Sequence, residues 1–118
     1  MATQVTGTYL RPGDGDTPDT GWLVFTLVPP ARDDSGNQRT GTPIRVDLDA
    51  TGTFTVSLVG NADLVDVVGD AVYEVQEHVG GMYRCWYLML TDADDGTTVD
   101  LPARYPGVES WDGVVVPG

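Results

Sequence analysis

Apolar and polar residues alternate with a period of two along most of this chain, and the three-to-four-residue period of an amphipathic helix is nearly absent. The clearest stretch is Ile44-Arg45-Val46-Asp47-Leu48-Asp49, with Ile44, Val46 and Leu48 on one face and charges on the other. Asp49-Ala50-Thr51-Gly52 then reads as a hairpin connection. Beyond it, Phe54, Val56 and Leu58 face in while Thr53, Thr55 and Ser57 face out, which predicts a half-buried antiparallel pair. Residues 5–10, 22–28, 71–78, 82–90 and 97–101 read as further strands, with Tyr73 and Val75 inward and Glu74 and Gln76 outward. Pro12-Gly13-Asp14-Gly15-Asp16, Val79-Gly80-Gly81 and Asp92 to Gly96 supply turns. Residues 29–42 read as a long surface loop, and residues 61–70 as a connector with room for a turn of helix.

Seven short strands at this spacing predict an all-β, immunoglobulin-like antiparallel sandwich over residues 1–101, followed by an extended apolar arm over 102–118. Two strands are apolar on both faces. In the second, Leu23, Phe25 and Leu27 oppose Trp22, Val24 and Val28; in the sixth, Tyr83, Cys85, Tyr87 and Met89 oppose Trp86, Leu88 and Leu90. Either these are central strands covered by a loop or by the tail, or the second face docks on another protein. The arm holds Tyr105, Trp111 and Val115 among prolines, too apolar for a discarded tail and too rich in Pro for a central strand. It either folds back over the sandwich or reaches onto a neighbour. The interface candidates are therefore Trp22, Val24, Trp86, Leu88, Tyr105, Trp111 and Val115.

Composition narrows the partners. The length of 118 residues suits one domain, and its formal charge is −12, from 18 acidic and six basic residues, all six of them Arg. No basic patch stands out against that charge, so nucleic acid is not an expected partner. Fifteen of the acids are Asp, a residue of turns and strand ends. The absence of Lys has no structural explanation; a GC-rich coding bias would produce it. With a single Cys no internal disulfide forms, so the core has to carry the fold. No signal-peptide pattern and no run long enough to span a membrane is present, so synthesis in a cytoplasm and no membrane partner are expected.

Candidate chemistry is thin. His78 and Cys85 are the only imidazole and thiol, on strands joined by a turn; Cys85 is expected as a small buried core residue rather than a nucleophile. Ser35, Ser57 and Ser110 sit in no nucleophile motif. Asp92-Ala93-Asp94-Asp95-Gly96 has the start of a calcium loop, but its twelfth position is Ala103 where a bidentate Glu is required. It reads as a solvated acidic turn, as does the Asp14/Asp16 loop. No catalytic residue, metal or cofactor is expected.

Val5-Thr6-Gly7-Thr8-Tyr9-Leu10, Gly21-Trp22-Leu23-Val24-Phe25-Thr26, Leu48-Asp49-Ala50-Thr51-Gly52-Thr53-Phe54-Thr55-Val56 and Tyr73-Glu74-Val75-Gln76-Glu77, in this order, resemble a transthyretin-like, carboxypeptidase-regulatory-like sandwich. More narrowly, they look like the small minor tail proteins of tailed phages of actinobacteria. The resemblance covers residues 5 to about 90 and leaves out the 29–42 loop and the 102–118 tail. It implies a virion structural protein at the tail tip, present as a homo-oligomer or in several copies in the particle, bound to other virion proteins and in reach of the host surface. A capsid decoration protein is the nearest alternative. A carbohydrate-binding adhesin, stacking sugars on Trp22, Trp86 or Trp111, is another.

Overall fold

A computed structural model describes residues 2–13, 15–65 and 71–105. Its strands are β1 (Thr3–Thr8), β2 (Gly21–Val28), β3 (Ala31–Arg32), β4 (Gln38–Arg39), β5 (Ile44–Asp47), β6 (Thr53–Leu58), β7 (Ala71–Val79), β8 (Met82–Leu90) and β9 (Thr98–Asp100), followed by a one-turn helix α1 (Leu101–Arg104). They form an all-β sandwich. A three-stranded sheet runs β6-β1-β9, a four-stranded sheet runs β5-β2-β7-β8, and β3-β4 is a small ribbon. All pairs are antiparallel except β1 with β9, which is parallel.

The alternation seen in the sequence fills the space between the sheets. Val5, Leu23, Phe25, Phe54, Leu58, Val75, Leu88, Leu90, Val99 and Leu101 are all buried to within a few per cent. Each strand supplies every second residue, so one register fixes a whole inward set. Among the described residues no helix is long and apolar enough to cross a membrane.

Three expectations need correction. β5 and β6 do not pair: β5 joins β2 and β6 joins β1, so the chain crosses from one sheet to the other between them. The reversal at residues 49–52 is real, held by the Asp49 carboxylate accepting from the Thr51 amide and hydroxyl and from the Thr53 amide. Gly52, at φ +76°, lies so close to the Tyr9 carbonyl that a Cβ there would come within 2.4 Å of it. That contact turns the chain onto β1 instead of back along β5. As the last strand of its sheet, β5 leaves Ile44 exposed and only half-buries Val46.

The 29–42 segment is not all loop. It holds the β3–β4 ribbon, with Ala31 buried and Asp33 accepting from the Ser35 and Asn37 amides and from Arg39 Nε. The third correction concerns β8, whose inward face is Trp86, Leu88 and Leu90; Tyr83, Cys85, Tyr87 and Met89 face outward. Cys85 is therefore exposed and is not a core residue.

Candidate functional site

The β7–β8 hairpin decides what the molecule shows to its surroundings. Gly80 and Gly81, at φ +60° and +78°, form a two-residue turn that non-glycine residues enter only with strain. The turn sets Val79 opposite Met82, and every later pair follows: Glu77 with Arg84, Val75 with Trp86, Tyr73 with Leu88. Two different arrangements result, one on each side of the four-stranded sheet.

On the inner side is a buried carboxylate. Glu77 is 1% exposed and accepts from Arg84 Nε at 2.7 Å, Arg84 Nη2 at 3.0 Å, Trp86 Nε1 at 2.8 Å and the Tyr9 hydroxyl. The Arg84 guanidinium lies 3.8 Å from the centroid of the Tyr105 ring, and Trp86 meets the same ring edge-on at 5.4 Å. Burial first, and then Glu77, push the Tyr9 phenol well above its usual pKa. Four donors occupy both carboxylate oxygens, and the charge is matched by Arg84. This is a lock, joining β7, β8, the end of β1 and the C-terminal segment, with no acceptor left to receive a proton from a substrate.

A second lock lies in the acidic turn. Asp94, expected as a solvated residue, is buried and accepts from Arg104 Nη2 at 2.8 Å and the Thr91 amide at 2.9 Å; the Arg104 guanidinium foremost holds its carboxyl below the usual range. Asp92 accepts from Asn61 Nδ2. Among the described residues no group of three or more His, Cys, Asp or Glu is placed to hold a metal ion. Asp14 lies outside them.

The outer side is the candidate site. Register aligns its residues in rows across the four strands: Asp47, Trp22, His78, Tyr83; then Arg45, Val24, Gln76, Cys85; then Thr26, Glu74, Tyr87; then Val28, Val72, Met89. Tyr83, Tyr87, Met89 and Val28 are 57, 62, 51 and 41% exposed. In the first row the rings stand side by side. Trp22 stacks on His78 at 4.9 Å and 11°, and His78 meets Tyr83 at 4.9 Å. Arg45, fixed by Asp47, covers Trp22 at 4.4 Å from the β5 side. Glu74 and Gln76 are tied to one another at 3.0 Å, and Gln76 Oε1 lies 3.4 Å from His78 Nε2.

An open cleft of about 920 Å³ lies at the end of this row, lined by Arg11, Asp19, Trp22, His78 and Tyr83 among others. Within this row Trp22 is flanked by Arg45 from the β5 side and by His78 from the β7 side.

The expected interface residues are thus divided. Trp22 and Val24 stand half-buried on the outer face. Trp86 and Leu88, at 6 and 2% exposure, belong to the core, a correction that follows from the hairpin register. Tyr105 folds back onto Arg84 and Trp86. Trp111 and Val115 lie outside the described residues. In place of Trp86 and Leu88 the outer face presents Tyr83, Tyr87 and Met89. Compared with models of protein families and with curated proteins, the chain matches none.

Proposed function

We propose that this protein is a non-catalytic structural subunit that works by docking the outer face of its four-stranded sheet on another protein. The observation that carries this reading is the set of exposed Tyr83, Tyr87, Met89 and Val28 on one face of the sheet. Large apolar groups gathered on a surface are retained where a partner covers them. Beside them Arg45 is bonded to Asp47, and Gln76 to Glu74 and His78, so these groups already have partners when the face is covered. Asp33, Glu77 and Asp94, the three buried carboxylates among the described residues, each have several donors and are engaged in holding the fold. That supports a role in assembly over one in chemistry.

For the assembly itself, the resemblance to minor tail proteins of actinobacterial phages suggests the tail of a virion, with an immunoglobulin-like or transthyretin-like sandwich as the carrier. Mass spectrometry of separated heads and tails tests this. The chain is expected in tails; finding it only in heads favours capsid decoration, and absence from both overturns the virion reading. The docking face is tested separately by Val24→Glu combined with Val28→Glu. The double variant is expected to fold with an unchanged circular dichroism spectrum and to be missing from assembled particles.

A further inference from the structure

We infer that β8 is a self-pairing edge: two copies of this chain join β8 to β8 in antiparallel fashion, making one eight-stranded sheet with a continuous outer face. The inference goes beyond the docking reading, since the face could dock with or without the pairing.

β8 is the last strand of its sheet, and nine consecutive residues pair with β7 without a bulge. Natural sheets protect such edges with short strands, Pro, charges or bulges. The opposite edge of the same sheet is protected in this way. β5 has four residues, follows Pro43, and turns Arg45 and Asp47 outward. β8 has none of these devices. Its one charged residue, Arg84, is turned inward onto Glu77. Among the described residues no strand pairs with its free side.

Backbone parity selects one register. The two-residue Gly80-Gly81 turn makes Val79 and Met82 a hydrogen-bonded pair, so the even-numbered residues of β8 direct their N–H and C=O groups to β7. Tyr83, Cys85, Tyr87 and Met89 direct theirs away from the sheet. A two-fold axis at Trp86 places Cys85 opposite Tyr87 of the second copy and Tyr83 opposite Met89 of the second copy. Each of these is a hydrogen-bonded pair, and the seam uses all eight free backbone groups of the four residues on each strand. Any other register leaves some of them unpaired.

Side chains agree with that register. The row Trp22, His78, Tyr83 continues into Met89, Val72 and Val28 of the second copy, bringing a thioether to an aromatic ring. The row Thr26, Glu74, Tyr87 continues into Cys85, Gln76, Val24 and Arg45 of the second copy. No acid meets an acid across the seam, although each chain carries a charge of −12. The occupant best matched to this edge is the edge itself.

Light scattering on the full chain over a concentration series is expected to show a dimer. Tyr87→Pro removes one outward N–H that β7 does not use, so the variant is expected to stay folded and become monomeric. Tyr87→Cys is expected to give a disulfide-linked dimer on mild oxidation. The new thiol faces Cys85 of the second copy across a hydrogen-bonded pair, with Cα atoms about 5.5 Å apart. In the unmodified chain the two Cys85 residues are diagonal neighbours, about 7–8 Å apart, and no such link is expected. A chain monomeric at every concentration overturns the proposal; so does a dimer that forms no link with Tyr87→Cys. Val24→Glu with Val28→Glu leaves the seam intact, so loss of docking and loss of pairing are read independently.

Discussion

At the scale of single residues, Glu77 does most to make this sandwich one particular structure. Its carboxylate sits where an apolar side chain would be expected, and its four donors come from three residues, Tyr9 after β1 and Arg84 and Trp86 on β8. Removing one partner of a buried ion pair leaves the other uncompensated, at a typical cost of about 3–5 kcal/mol. Glu77→Ala is therefore expected to lose stability on that scale in urea unfolding, with Glu77→Gln losing less because it keeps hydrogen-bonding atoms in place. The buried phenols add a pH dependence. Burial first raises the pKa of both Tyr9 and Tyr73, and Tyr73 donates to the Val59 carbonyl at 2.8 Å. An unfolded tyrosine ionises near about pH 10. The stability these two groups contribute is thus fully present below that pH and falls as pH rises above it, because the unfolded chain releases protons that the folded chain retains. Ultraviolet titration is expected to show two of the five tyrosines ionising only as the protein unfolds, and one fewer such group in Tyr9→Phe or in Tyr73→Phe.

The element that depends most on one position is the crossover from β5 to β6. Gly52 combines a positive φ with a carbonyl in the way of any Cβ, so Gly52→Ala is expected to cost about 1–3 kcal/mol in the same unfolding assay. Sequence periodicity located the seven principal strands because each buries one face, and burial is what alternation records. It did not show which strands are neighbours. Asp49 to Gly52 has hairpin chemistry, yet the chain changes sheets there, because β5 and β6 find longer partners in β2 and β1. The face of β8 was within reach of the sequence. A two-residue Gly-Gly turn with Tyr73 and Val75 inward requires Trp86 and Leu88 inward as well, by counting outward from the turn. Hydrophobicity alone could not make that choice, since both faces of β8 are apolar. The Glu77–Arg84 pair follows from the same count: two opposite charges at inward positions, directly across the hairpin. The β3–β4 ribbon could not be found by periodicity, because two-residue strands are too short to show any.

For the molecule as a whole, the boundary between sandwich and arm shifts from the sequence-based expectation at 101/102. Arg104 binds Asp94 and Tyr105 covers Arg84 and Trp86, so the chain as far as Tyr105 takes part in the domain. A chain truncated from residue 102 is expected to unfold at lower urea concentration than one truncated from residue 106. The difference reports the contacts of Arg104 and Tyr105. The first of these cuts would confuse a destabilised domain with a missing arm. Only the second is a fair test of what the remaining thirteen residues contribute to the proposed docking.

The parallel pairing of β1 with β9 has a mechanical consequence. The Gln4 amide donates to the Thr97 carbonyl, and Gln4, Val5 and Thr6 lie beside Thr98, Val99 and Asp100. Tension applied toward the two ends of the domain pulls β1 one way along this ladder and β9 the other. The rungs then carry the load together in shear and do not unzip one after another. Among the described residues the first and last strands thus form a clamp, one that resists a pull along the chain through all its rungs at once.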